Sequence, residues 1–152
     1  MDEKTIVIRL SIAFLLGAII GLERDLTNKT IGIKTHVMVS LGSALTMIFG
    51  IYMSQGNNLI DPTRISAQVV SGIGFLGALC VLKDRNNTIL GLTTASSIWV
   101  MACIGIAVGG GFILGAVTTT VFILINLILV PKIKRIIKKS AIYKRGHDDS
   151  EE

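Results

Sequence analysis

The sequence predicts an all-α integral membrane bundle of about five transmembrane helices, N-terminus outside and C-terminus in the cytoplasm. Three observations carry that prediction. Of 152 residues, 51% are apolar and 16% are charged, against about 25% charged in an ordinary soluble domain. Charge is also missing in blocks: Asp, Glu, Lys and Arg are absent from residues 35–60, from 65–82, and from the 46 residues 86–131. Soluble helices need a polar face, so such runs point to lipid as the solvent. The cations, finally, are segregated. Residues 23–34, 83–91 and the segment from Lys132 onward hold 12 of the 15 Lys and Arg, whereas Lys4, Arg9 and Arg64 fall on the other side. An odd number of spans with a cytoplasmic C-terminus gives that segregation.

The first expected span is Thr5–Leu22. Its leader carries Asp2 and Glu3 beside Lys4, Arg9 interrupts the apolar run, and no small-residue cleavage site follows. It is therefore read as a retained helix rather than a signal peptide. The second span is His36–Met53 and the third is Ile65–Leu82. The 46-residue run is long enough for two more, and Gly109-Gly110-Gly111 is its natural break. That gives Leu92–Val108 and Phe112–Val130. A membrane barrel would alternate polar and apolar residues, which these runs do not.

Residues 1–131 thus form the expected membrane domain, and 132–152 a cytoplasmic tail without a soluble C-terminal domain. The tail is first basic. Ile133, Ile136 and Ile137 sit at helical spacing among Lys132, Lys134, Arg135, Lys138 and Lys139, the pattern of a helix on anionic lipid. It ends acidic, at Asp148, Asp149, Glu151 and Glu152.

Small residues recur at four-residue spacing: Gly17 and Gly21, Ala67 and Ser71, Gly74 and Ala78, Gly105 and Gly109, Gly111 and Gly115. In lipid such pairs let backbones approach, within one bundle or across a homodimer. Gly72, Gly74 and Gly77 formally match a nucleotide-binding pattern, but they lie inside a membrane run without a βαβ context. They are read as a packing face or a kink. Cys80 and Cys103, isolated within spans, are read as packing residues.

Polar residues inside the greasy segments are the site candidates. Asp61-Pro62 suits a helix start, the carboxylate as N-cap and the proline at the first helical position. Asp61, Arg64, Gln68 and Ser71 share one helical face. Two readings stand open: a capping Asp61 paired with Arg64, or a point of access for a cation or polar ligand. Glu23 and Arg24 end the first span, as a buried site or as an ordinary loop. Thr93 and Ser97, four apart, could bond back to helix carbonyls or line a cleft with Gln68.

Seven blocks occur in order: Gly21-Leu-Glu-Arg24, Gly32-Ile-Lys-Thr-His36, Leu41-Gly-Ser-Ala44, Asp61-Pro-x-Arg64, Gln68 through Ala78, Gly91-Leu-Thr-Thr-Ala95 and Trp99. Together, over residues 17–115, they closely resemble the MgtC/SapB family of bacterial inner-membrane proteins. The resemblance implies a multi-pass inner-membrane protein linked to magnesium homeostasis and growth in low magnesium, with a virulence role in pathogenic members. It does not imply ATP hydrolysis. It marks Glu23, Arg24, Thr35, Asp61, Arg64, Gln68, Thr93 and Thr94 as the family's polar positions. Two departures stand out. Lys34 occupies a place where Arg is common, which loses the planar fork, and the long domain that follows the spans in many members is replaced by a short tail.

No catalytic set can be built from His36 and His147, so no enzyme is expected, and no nucleic acid, because lipid explains the basic tail. No cofactor is expected. Magnesium prefers near-octahedral oxygen ligands and keeps several waters, so Asp61 with Gln68 and hydroxyls is a weak site, opposed by Arg64. The leading expectation is a homeostasis factor acting on other inner-membrane proteins or on membrane energetics. The alternative is a small ion or solute transporter using Gln68, Ser71, Gly72–Gly77, Thr93 and Ser97. A third is a structural oligomer built on glycine faces.

Overall fold

The computed structural model describes residues 1–56, 59–85 and 87–148, with side chains through Lys138. The acidic tip at Asp149, Glu151 and Glu152 lies outside the described residues, as does the Lys139 side chain. Five helices appear among the described residues: α1 (Glu3–Leu26), α2 (Ile33–Ser54), α3 (Thr63–Ala78), α4 (Leu92–Gly110) and α5 (Ile113–Asp148). A two-residue antiparallel hairpin, β1 (Leu82–Lys83) with β2 (Ile89–Leu90), joins α3 to α4. The chain is thus helical, with one short addition.

Four helices are long and apolar enough to cross a membrane: α1, α2, α4 and the Ile113–Lys138 part of α5. Helix α3 differs from its expected span. It stops at Ala78 rather than Leu82, at 16 residues, which is about 24 Å long against a hydrocarbon core of about 30 Å. The cause is local. Gly91 takes a left-handed backbone at φ 88°, and a side chain there would collide with the Cys80 carbonyl. The close return of the hairpin at Gly91 draws Leu79–Leu82 out of the helix.

The chain divides into two compact units, residues 1–120 and 121–152. Within the first, the contacts fix an up-and-down order. Gly17 meets His36 and Val37, and Gly21 meets Ile33, so α1 and α2 run antiparallel. Gly105 meets Ser40 and Gly109 meets Ala44, so α2 and α4 run parallel. Ser66 reaches Met47, and Gly50 fits against Pro62, which sets α3 antiparallel to α2. The core combines Ala13, Leu16 and Ile20 of α1 with Ala44 and Ile48 of α2 and Met101, Ala102 and Ile104 of α4. Ile73 of α3 packs on Ile98 and Ala102. Many other leucines, isoleucines and phenylalanines face outward, the expected surface in lipid.

The second unit is the rest of α5. Phe122, Ile125, Ile128 and Leu129 are exposed, and the helix continues through Pro131 to Asp148. Ile133, Ile136 and Ile137 are exposed beyond that proline.

Candidate functional site

One end of the first unit gathers the last turn of α1 and the first turns of α2 and α4. Helix α2 starts sharply there because the Asp25 carboxylate accepts from the Ile33 N–H at 3.1 Å. A side chain at Gly32 would collide with that carboxylate. This clamp holds the α1–α2 connection close and turns His36 inward.

Arg24 is the buried charge at this end, only 3% exposed. Its Nη2 donates to the Thr94 hydroxyl of α4 at 2.9 Å. Its Nη1 lies 4.0 Å from Glu23 Oε2. That pairing is long because neighbours on a helix point about 100° apart. Glu23 Oε2 and Arg24 Nε are buried without a hydrogen-bond partner among the described residues. A guanidinium has five N–H donors, so this one is only partly satisfied.

A second polar chain joins it. Thr94 presents its carbonyl to the Ser97 hydroxyl at 2.8 Å, and Ser97 Oγ lies 3.2 Å from His36 Nε2. His36 is fully buried, and its Nδ1 lies 2.8 Å from the Gly32 carbonyl, to which an Nδ1–H donates. A neutral ring then has Nε2 as an acceptor, and the Ser97 hydroxyl must choose between Nε2 and the Thr94 carbonyl. Helices α1, α2 and α4 are therefore tied by one network running Glu23–Arg24–Thr94–Ser97–His36.

The other sequence candidates fall elsewhere. Asp61 accepts from the Thr63 hydroxyl at 2.7 Å and the Thr63 N–H at 2.8 Å. Those two bonds hold its carboxyl below its ordinary pKa. The helix opens with Pro62 in the cap position; Asp61 closes onto Thr63, and Glu23–Arg24 is the ion pair among the described residues. Arg64, Gln68 and Ser71 are exposed on the face of α3 that no helix of the first unit covers. A side chain at Gly72 or Gly74 would enter open space, whereas Gly77 lies against Ala95. Helix α3 is continuous through all three glycines. Thr93 is exposed and Thr35 half-buried, so the inward pair on α4 is Thr94 with Ser97, three apart, instead of Thr93 with Ser97. At the opposite end, Arg9 donates to the Gly109 carbonyl at 2.6 Å, a cation placed on the C-terminus of α4.

Sequence reasoning missed the role of His36, which it placed at the start of a span and in a family block and set aside as a catalytic residue. The available signal was a histidine in an otherwise charge-free stretch, four residues after Gly32. Arg9 was read as a break in an apolar run and as a cation on the opposite side, not as a partner of α4.

The fold and this site define a class: a helical membrane protein in which, among the described residues, a buried charged cluster ties three helices at one end. The chain belongs to the MgtC family, whose model matches residues 10–136. An uncharacterised protein of Haemophilus influenzae is 41% identical over 150 residues, covering 95% of this chain and 63% of that one. Protein SapB of Bacillus subtilis is 39% identical over 138 residues, covering 88% and 60%. A protein named putative magnesium transporter YhiD, of Escherichia coli K12, is 46% identical over 110 residues, covering 69% and 51%. The chain therefore spans between half and two-thirds of these relatives' lengths. No solved structure matches it.

Proposed function

We propose that the protein serves magnesium homeostasis in the bacterial inner membrane, acting on other membrane proteins or on membrane energetics rather than carrying the ion. Family membership supports the magnesium link, since one relative bears a magnesium transporter's name. The observation that carries the indirect reading is the charge of the buried site. There the Arg24 guanidinium, 3% exposed, lies 4.0 Å from the Glu23 carboxylate, so that carboxylate is already countered and the fixed cation repels a divalent ion. Asp61, the outer carboxylate, is engaged by Thr63. Packing of Ile73 on Ile98 and Ala102 closes the middle of the α3–α4 seam, which favours a seam sealed beyond its Gly91 end over a continuous polar path between these helices.

We infer five crossings with the N-terminus outside. The alternation of α1 to α4 supports it, and so do Lys29, Lys34, Lys83 and Arg85 at the end that holds Arg24. Helix α3 then crosses with local thinning of the bilayer.

The test is growth of a deletion strain in low magnesium. Wild-type protein should restore growth. Arg24→Met, produced and inserted at normal levels, should fail, and Asp61→Asn should succeed. Rescue by Arg24→Met together with failure of Asp61→Asn would reverse the assignment. The transporter reading is retained as the second because of the relative's printed name.

A further inference from the structure

A cavity of 310 Å³ opens beside the polar network, between the first turns of α2 and α4, the end of α3 and the hairpin. Its walls are largely apolar, from Ile31, Leu76, Leu79 and Leu82. Thr30, Thr35 and Thr94 also line it. Leu79, Leu82 and Thr30 are exposed, so the cavity opens to the surroundings. Its volume is at the lower bound of about 300 Å³ for small-molecule pockets.

Its depth and its rim define an occupant. The cavity lies where helices end and begin, which is the level of the lipid headgroup–acyl boundary. An occupant there needs an apolar body and a polar end. Along the chain Lys29, Lys34 and Lys83 directly adjoin the lining residues Thr30, Thr35 and Leu82, and they outnumber the nearby carboxylates, Asp25 packed on Gly32 and Asp84 next to Lys83. Those three lysines are exposed. A cationic rim over an apolar hollow complements an anionic amphiphile and disfavours a zwitterionic one.

We propose that this cavity seats an acyl chain of an anionic membrane phospholipid, with the headgroup held at the lysine rim. Thr94 borders the cavity and also accepts from Arg24, so lipid in the cavity touches the residue that carries the α1–α4 contact. The inference rests on placement in a membrane and not on the magnesium reading.

Cys80 lines the cavity and Cys103 does not, which supplies a native reporter and its control. The full chain is placed in nanodiscs of phosphatidylglycerol or of phosphatidylcholine and alkylated with uncharged N-ethylmaleimide. Labelling of each cysteine is followed by peptide mass spectrometry. Cys80 should react several-fold more slowly in phosphatidylglycerol, with Cys103 unchanged. The double variant Lys34→Gln, Lys83→Gln should abolish the difference. Equal Cys80 rates in the two lipids would overturn the proposal. So would a slowing shared equally by both cysteines, or one that survives loss of both lysines.

Discussion

At the scale of the residue, Arg24 carries the most consequence. Replacing it with Met strands Glu23 and the Thr94 hydroxyl in a buried setting. Breaking a buried charge pair from one side costs about 3–5 kcal/mol. We expect Arg24→Met to lower the thermal midpoint of the detergent-solubilised protein strongly. Arg24→Lys should recover only part of it, because a point charge does not reproduce the fork. Asp61 gives a prediction in pH. Its folded pKa is depressed by the Thr63 bonds, so its contribution to stability is complete above the unfolded value. That contribution is lost as pH falls through the lower, folded value. The difference in midpoint between wild type and Asp61→Ala should therefore be present at pH 7 and vanish in strong acid. Glu23 and Arg24 were legible in the sequence as charges at a span end, with a buried site as one of two readings, whereas Thr94 was marked only by the family resemblance, the hydroxyl spacing having pointed to Thr93 with Ser97. The role of His36 was not legible, because a neutral ring at a span end carries no charge signal; its role depends on the Asp25 clamp and on Ser97, 61 residues away.

At the scale of the element, glycine spacing announces close packing without saying which partner receives it. Gly17 and Gly21 meet α2, and Gly105 and Gly109 meet α2 from the other side. Gly72 and Gly74 meet nothing within the first unit. The same residue type therefore predicts opposite outcomes. Gly109→Leu must push α4 from Ala44 and Met47 and should lower the midpoint clearly. Gly74→Ala enters open space and should be neutral or stabilising, by up to about 1 kcal/mol from reduced backbone freedom. Circular dichroism melts of both variants in one detergent check the pair. Helix ends were legible to within a few residues for α1, α2 and α4. The end of α3 was not, because Leu79 to Leu82 is as apolar as the helix before it. Only the Gly91 turn opposite Cys80 shows why the chain leaves the helix there.

At the scale of the whole molecule, charge-free runs disclosed membrane helices because lipid imposes one rule on every segment at once. Orientation makes its own prediction. A cysteine placed at Arg85 in a Cys80→Ser, Cys103→Ser background should be labelled by an impermeant maleimide only after the inner membrane is opened. The more central claim is that the protein does not itself carry magnesium. The direct measurement is magnesium entry into sealed proteoliposomes, with a fluorescent indicator inside and a valinomycin-set potential. We expect entry no faster than in protein-free liposomes, for wild type and for Asp61→Asn alike. Robust entry in the wild type that Asp61→Asn abolishes would contradict the claim and make the Asp61 carboxylate, not the buried Arg24 network, the working site.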